Sequence, residues 1–185
     1  MSSSSTRSEL NKRTEEVLAY LPVSAITLYK KRQPVYSRET TLSHIYMVVS
    51  GAVAIYQITA DSRQVLLEIV RPDELFGETA FVGPRRAEQA IAMEHTALMA
   101  WPVSEIEALV MQNPRLAVAL LQMLAQRNEQ FGRRIESFAV DSIERRLARS
   151  LIDLSERFGS PGLDGYVEMM PITHEQLANY VGTSR

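Results

Sequence analysis

The three histidines are the first residues to consider as metal ligands or acid–base groups, because imidazole titrates near neutral pH and binds metals. His44, His95 and His174 lie far apart in the sequence and are expected on separate elements. Cysteine is absent, which excludes disulfides, thiolate zinc sites and cysteine-ligated iron–sulfur clusters. Since a haem or metal sensor needs grouped ligands, we expect no metal site and no resident cofactor.

The residues with the most specific spacing lie in the last segment, PITHEQLANYVGTSR. Thr173 is placed to cap a helix N-terminus, and Gln176 stands at the reciprocal position of a capping box. A helix-turn-helix needs a small residue where its helices nearly touch and a glycine where the turn demands positive φ. Ala178 and Gly182 have this spacing, with a plain capped helix that ends at a glycine as the alternative.

Beyond that turn, Thr183 or Ser184 would cap a second helix, the one that enters the major groove of DNA. His174 stands at the start of the first helix, where we expect a contact with a DNA phosphate. The sequence holds only the beginning of the second helix, so the motif is predicted to be incomplete.

The elements upstream of this motif are predicted to be short strands. Between residues 26 and 102, short apolar runs alternate with turn signals such as Ser50-Gly51 and Gly83-Pro84. This spacing predicts an antiparallel sandwich or barrel, a cupin-like jelly roll, with no helix between residues 27 and 101. Cupin enzymes usually bind a metal through a tight His/Glu group, and the sequence contains no H-x-H or H-x-x-H. We therefore do not expect an enzyme.

Helical periodicity begins after Pro102. A short helix is expected over Val103–Met111 with Ser104 as its N-cap, and Asn113-Pro114 opens a long helix. A further amphipathic helix is expected over 141–158, and a short one near the N-terminus over 11–20.

The long helix carries apolar residues alternately four and three apart, as in a coiled-coil heptad. Charged residues crowd the flanks of this seam, and Asn128 lies within it, where a polar residue typically fixes the register. We therefore predict a parallel homodimer, with packing of the helix on its own domain as the alternative. The predicted seam is Ala117, Leu121, Leu124, Asn128, Phe131, Ile135 and Phe138.

These elements predict an α+β chain with three parts. Residues 1–112 form an antiparallel β-roll sensor with short flanking helices, 113–140 the dimerisation helix, and 141–185 an incomplete winged helix-turn-helix. The 185 residues are 45% hydrophobic and 23% charged, an ordinary globular composition. A net charge of −2 argues mildly against a free-standing DNA-binding domain, although a large neutral sensor can mask a small basic one.

The segment HEQLANYVGTSR resembles the helix-turn-helix of the CRP/FNR family of transcription factors. Leu75-Phe76-Gly77-Glu78 is similar to the entry of that family's phosphate cassette, and Asn113-Pro114 to the entry of its dimer helix. The resemblance spans about residues 20 to 185 and implies a regulator that binds DNA as a homodimer. It also implies that Arg185 contacts a guanine, and that the body of the recognition helix and the wing are missing.

In cyclic-nucleotide-binding members of the family, a Gly-Glu pair is followed ten residues later by Arg-Ser, whose arginine neutralises the cyclic phosphate. Counting from Glu78 places Glu88-Gln89 there, and a carboxylate repels a phosphate. We therefore expect no response to cyclic AMP. We favour a tight turn with local hydrogen bonding as the role of Gly77-Glu78, with an effector contact as the alternative. The candidate effector-pocket residues are Gly77, Glu78, Arg85, Arg86, Glu88, Gln89 and, on the dimer helix, Phe131.

The expected partners are a second copy of the chain, DNA once the C-terminal domain is complete, and a small-molecule effector of unknown identity. No stretch approaches the ~20 apolar residues of a membrane span, and no export signal opens the sequence, so we expect a cytoplasmic protein without membrane contact. The alternative function is a dimeric small-molecule sensor module without DNA binding of its own.

Overall fold

The computed structural model describes residues 17–37, 39–40, 42–83, 87–162, 166–169 and 171–183. Its strands are β1 (Thr27–Tyr29), β2 (Pro34–Tyr36), β3 (His44–Ser50), β4 (Val53–Ile58), β5 (Gln64–Val70), β6 (Leu75–Phe76), β7 (Glu88–Ala92), β8 (Thr96–Pro102), β9 (Ser160–Pro161) and β10 (Val167–Glu168). Its α-helices are α1 (Val103–Gln112), α2 (Pro114–Val140), α3 (Ile143–Phe158) and α4 (His174–Val181).

The first eight strands form the predicted antiparallel β-roll. One sheet has the strand order β1-β8-β3-β6 and the other the order β2-β7-β4-β5. Their facing sides enclose an apolar core that includes Val48, Val53, Phe76 and Leu98. The α+β fold predicted from the short-strand texture is confirmed.

Strand β4 shows why part of the roll carries an unbroken apolar run. Val53 and Ile55 point into the roll, whereas Ala54, Tyr56 and Ile58 belong to a second core on the outer face of the same sheet. Helices α3 and α4 cover that outer face, with Leu154 and Leu177 packed against it. A strand covered on both faces has no polar side, so alternation is lost.

The outer face of the other sheet packs against α1, α2 and residues preceding β1. Trp101, Ile106 and Leu116 are buried in this third cluster. The Trp101 indole N–H donates to the Pro22 carbonyl oxygen at 2.8 Å, which satisfies its polar edge. Most of the predicted 11–20 helix lies outside the described residues; Val17 and Leu18 are helical.

Two local predictions are wrong. A 3₁₀ helix spans Glu78–Val82, where no helix was expected, because Gly77 adopts φ 90° and turns the chain so that the Ala80 N–H bonds the Gly77 carbonyl. The N-cap of α1 is Pro102 rather than Ser104. The chain enters α1 directly from β8, and the Val103 N–H donates to the Ser43 carbonyl at 2.9 Å, so this N–H already has a partner.

The remaining helix starts follow their side-chain caps. Helix α2 begins at Pro114, as predicted, and the Asn113 side chain accepts from the Arg115 N–H as its cap. Helix α3 begins at Ile143 with Ser142 as its N-cap, two residues later than the predicted start. Helix α4 has the predicted Thr173–Gln176 capping box and ends at Gly182 with φ 74°. In the described part of the chain, no helix has the length and apolarity needed to cross a membrane.

Candidate functional site

Glu88 lies inside the roll and is bound there by the chain's own donors. The residue is only 9% exposed. Its carboxylate accepts from the Tyr36 O–H at 2.5 Å and from the Thr79 O–H at 3.2 Å. Burial, and after it the Glu88 carboxylate, raises the pKa of Tyr36 well above its ordinary value, so the phenol keeps its proton. The position reached by counting ten residues from Glu78 thus holds a hydrogen-bonded carboxylate.

Glu78 is held by Arg127, which reaches the roll from α2. The Arg127 guanidinium pairs with Glu78, with Glu68 at 3.2 Å, and donates to the Leu75 carbonyl at 2.7 Å. Burial alone would lower the pKa of Arg127, but the two carboxylates raise it and keep the guanidinium charged. Burial raises the pKa of Glu68, and Arg127 opposes that shift. These contacts join α2 to β5 and to the start of the 3₁₀ helix.

Gly77 occupies a place that no other residue could take without a shift. Its φ is 90°, and a Cβ added there would lie 2.8 Å from the His44 carbonyl oxygen and 3.2 Å from the Tyr46 ring. The rings of Tyr36, Tyr46 and Phe76 fill the neighbouring interior, with Tyr46 and Phe76 stacked at 5.2 Å. The roll is therefore tightly packed around Glu78 and Glu88.

The structure brings only part of the predicted pocket together. Thr79, next to Glu78 in the chain, contacts Glu88. Gln89 lies on the opposite side of β7 and shares its outward face with Ile91, which packs in the outer core. Arg85 and Arg86 lie outside the described residues. Phe131 lines a different space, whose wall also includes Glu68.

That second space is a cleft of about 590 Å³ between β5 and helices α2, α3 and α4. Four acidic residues line it, together with Phe131, Phe138 and Tyr180. Because cationic side chains dominate its wall, we call it the arginine cleft. Its arginines are Arg71, Arg133, Arg134, Arg146, Arg149 and Arg157.

Two of these arginines fasten the C-terminal helices to the roll. Arg134 donates to the backbone carbonyls of Leu66, Leu67 and Tyr180. Arg157 donates to the Ile69 carbonyl at 3.0 Å and pairs with Glu74 at 3.2 Å. Helix α4 is thereby docked on β5, and its residue Val181 is 2% exposed.

The predicted DNA-contacting residues lie around α4. The Thr173 hydroxyl accepts from the Gln176 N–H at 3.1 Å as the cap of the helix. His174 is the first, exposed residue of α4, and the Thr183 N–H donates to the Ala178 carbonyl at 3.0 Å. Ser184 and Arg185 lie outside the described residues.

The predicted dimer seam divides into two parts on α2. Leu121, Leu124 and Ile135 are exposed, by 65%, 37% and 66%, and Asn128 is exposed beside them. Ala117 is half-buried. Phe131 and Phe138 also line the arginine cleft within the chain, although Phe138 remains 41% exposed. The Phe138 ring lies beneath Arg134 and Arg146 and against Gly182, where an added Cβ would be 2.9 Å from the ring.

Sequence reasoning missed the residues that organise both spaces. The heptad pattern places Arg127 and Arg134 among the charges beside the seam, yet they are seven residues apart and so lie on one face of α2. This seven-residue spacing was the sequence signal that could have identified the two arginines. No sequence signal pointed to Tyr36, because the Glu88 that it contacts lies 52 residues away in the sequence.

Comparisons with known proteins agree with this architecture. Residues 26–113 match the family model of the cyclic nucleotide-binding domain. Over 181 residues, the chain is 28% identical to a CRP-like cAMP-activated global transcriptional regulator of Mycobacterium tuberculosis (strain CDC 1551 / Oshkosh), with 89% of this chain and 77% of that protein covered.

Solved structures show the same arrangement. FixK2 from Bradyrhizobium japonicum matches with a TM-score of 0.76 over 88% of this chain and 79% of that one, and its 21% identity shows a shared fold. A transcriptional regulator of the CRP/FNR family from Thermus thermophilus matches with a TM-score of 0.66 and 28% identity, covering 86% of this chain and 79% of that one. The β-roll, the long helix, the capped helix α4 and these relatives together support a transcription regulator of the CRP/FNR family.

Proposed function

We propose that this protein acts as a homodimeric, sequence-specific DNA-binding regulator that does not respond to cyclic AMP. The observation that carries the DNA-binding part is α4, with its Thr173–Gln176 capping box and its left-handed turn at Gly182. These features support a first helix followed by the tight turn of a helix-turn-helix. Its relatives are regulators, and a role on chromosomal DNA would place it in the cytoplasm.

The proposed parts are a sensor over 1–112, a dimerisation helix over 113–140 and a DNA-binding domain over 141–185. The DNA-binding proposal is tested by selection from a random-sequence DNA pool at stated salt, because phosphate contacts make affinity depend on salt. One sample is the 185-residue chain, and the other also carries a recognition helix and wing. We expect the longer form to recover a palindrome with half-sites about one helical turn apart. The shorter form should recover none; a palindrome recovered by it, or none by the longer form, would contradict the proposal.

The dimer proposal is supported by the exposed apolar stripe of α2, since Leu121, Leu124 and Ile135 leave a large apolar surface uncovered in the single chain. Replacing Leu121 and Leu124 by aspartate should give a monomer by light scattering. Met111→Asp, an equally polar change at a residue 83% exposed on α1, should leave the dimer intact. If the double variant stays dimeric at low micromolar concentration, α2 does not form the dimer interface.

The absence of a cyclic AMP response is proposed from Glu88. The buried Glu88 carboxylate, whose Oε1 accepts from both Tyr36 and Thr79, would have to release these hydroxyls and then face a phosphate of the same charge. The double change Glu88→Arg with Gln89→Ser tests the alignment on which this rests. A gain of cyclic AMP affinity over the wild type would support it.

The second candidate function is a dimeric sensor module without DNA binding of its own. The observation that favours it is the docking of α4, whose Leu177 packs in the outer core of the roll and whose Val181 is buried. The DNA selection separates the two, because the sensor module recovers no sequence in either form.

A further inference from the structure

We propose that the arginine cleft binds a small metabolite bearing a phosphate or carboxylate group, held between Arg134 and Arg146. The site lies outside the roll interior that contains Glu78 and Glu88. It does not depend on whether the protein reaches DNA. The charges of the arginines in this region are neutralised in different ways.

Arg134 is a half-buried cation that no carboxylate contacts in the described part of the chain. Its terminal nitrogens donate to three backbone carbonyls, two of them at 2.8 Å, and its Nε is buried without a hydrogen-bond partner. Carbonyl dipoles satisfy hydrogen bonds but do not cancel a net charge. Burial lowers the pKa of Arg134, the response of a cation that lacks a close counter-ion.

Arg146 reaches the same place from α3. Its guanidinium lies 5.2 Å from the centre of the Phe138 ring, and that of Arg134 lies 5.5 Å from the same centre. The Arg146 Nε is also buried without a hydrogen-bond partner. Among the described residues, the Arg146 guanidinium contacts the Phe138 ring and no carboxylate. Two guanidinium groups on one ring repel each other, and an oxyanion between them would supply the missing charge and the missing acceptors.

The acidic residues of the cleft are mostly engaged elsewhere. Glu68 pairs with Arg127 at 3.2 Å, and Glu74 pairs with both Arg71 and Arg157. Asp153 accepts from the Tyr180 O–H at 3.1 Å, and Glu156 is the fourth acid of the lining. Two other arginines of the lining pair with acids outside it, Arg133 with Glu129 at 3.4 Å and Arg149 with Asp141 at 2.7 Å. Among the described residues, Arg134 and Arg146 are therefore the arginines of the lining without a carboxylate contact.

The dimensions fit a metabolite. A volume of about 590 Å³ falls within the ~300–1,000 Å³ of ordinary small-molecule sites. The wall combines Phe131 and Phe138 with the charged groups, and a site with an apolar wall and a few fixed charges is typical for such ligands.

The test is calorimetric titration of the 185-residue chain with inorganic pyrophosphate and with citrate, at matched ionic strength so that screening is constant. We expect saturable binding of one of the two, at one site per chain with a dissociation constant below ~1 mM. The probe that binds distinguishes a phosphate-bearing from a carboxylate-bearing ligand. Arg146→Gln should weaken that binding at least about tenfold, because it removes charge without removing a side-chain hydrogen bond to any described residue.

Arg145→Gln is the matched control. It removes the same charge from the neighbouring position of α3, where Arg145 is exposed and lies near Asp141 at 3.9 Å, outside the cleft lining. Its affinity for the probe should stay within about twofold of the wild type. Arg134→Lys, which keeps the charge but loses the planar fork, should weaken binding while the protein stays folded by circular dichroism.

Three results would overturn the proposal. Neither probe binds; or Arg145→Gln weakens binding as much as Arg146→Gln, which shows a diffuse charge effect; or only a random-sequence DNA duplex binds through Arg146, which assigns the cleft to the DNA backbone.

Discussion

The roll interior around Glu88 and the arginine cleft are both rich in charged groups, yet their charges are balanced in opposite ways. In the roll, Glu78, Glu88 and Arg127 all contact a partner from the same chain. In the cleft, Arg134 and Arg146 share one aromatic ring and have no carboxylate contact within the described residues. A polar site whose groups are already satisfied gains little from a ligand, whereas unsatisfied groups gain the most.

The resemblance to the family's motif and the contacts seen in the structure lead to different conclusions about where an effector binds. Gly77 and Glu78 resemble the start of the family's cassette, but the hydroxyls of Tyr36 and Thr79 both donate to Oε1 of Glu88. The cleft has no counterpart in the motif that the resemblance pointed to. The contacts, rather than the motif, therefore indicate where an effector is to be sought.

The largest expected effect is the loss of Arg127. Arg127→Met leaves the carboxylates of Glu68 and Glu78 near each other without their cation, and breaking a buried ion pair from one side typically costs ~3–5 kcal/mol. Urea unfolding at neutral pH measures the free energy of unfolding. Arg133→Met, whose pair with Glu129 is exposed on the same helix, should change it by less than ~0.5 kcal/mol.

Removing one acid should partly rescue that variant. Glu68→Gln in the Arg127→Met background should recover stability, because the pKa of Glu68 is raised by burial and its ionised form is the costly one. For the same reason, Arg127→Met alone should gain stability as the pH falls from neutrality toward the ordinary pKa of a glutamate. If Arg133→Met lost as much stability as Arg127→Met, or if Glu68→Gln restored none of it, Arg127 would not be the central counter-ion of the roll.

The next effect compares two glycines at positive φ. Gly77→Ala places a Cβ 2.8 Å from a backbone oxygen, whereas Gly182→Ala places one 2.9 Å from the Phe138 ring, a side chain that can move. We expect costs of about 3 kcal/mol for Gly77→Ala and about 1–2 kcal/mol for Gly182→Ala by urea unfolding. Gly132→Ala, in open space on α2, should stabilise by roughly 0.5–1 kcal/mol. A larger cost for Gly182→Ala than for Gly77→Ala would mean that the arginine cleft is more rigid than the roll around Gly77.

The smallest effect is a dependence on alkaline pH at the edge of the cleft. Burial first, and then the Asp153 carboxylate, raises the pKa of Tyr180 from 10.0 to about 12. A raised pKa stabilises the protein below pH 10, and this contribution is lost as the pH rises from 10 through 12. At about pH 11 the loss is ~1.4 kcal/mol, the equivalent of one pKa unit.

Tyr180→Phe cannot ionise, so between about pH 9 and about pH 11 it should lose ~1.4 kcal/mol less free energy of unfolding than the wild type. Tyr166→Phe, at a tyrosine 75% exposed, should behave as the wild type does. Parallel profiles for Tyr180→Phe and the wild type would show that α4 is not docked through this phenol.

The sequence predicted the parts of the fold that depend on local signals. Period-two apolar runs indicated the strands, Asn113-Pro114 the start of α2, and Thr173 with Gln176 the cap of α4. The short 3₁₀ helix was missed because it depends on the contacts of Gly77 with β3 rather than on periodicity.

The candidate site was less accessible to sequence reasoning because its decisive contacts join distant positions. A heptad pattern assigns Phe131 and Phe138 to one seam, but the docking of α3 and α4 places both in the cleft of the same chain. The pairing of Glu88 with Tyr36 depends on the strand order β2-β7-β4-β5, which no local pattern specifies.

The central claim is that the roll interior is satisfied by its own side chains, and calorimetric titration of the wild type with cyclic AMP tests it most directly. At about 0.15 M salt and neutral pH, we predict no saturable heat up to about 100 μM nucleotide. Tyr36→Phe, which removes one donor from Glu88, serves as the matched comparison. A micromolar dissociation constant for the wild type would show that the Glu88 carboxylate does not close this site, and would contradict the account.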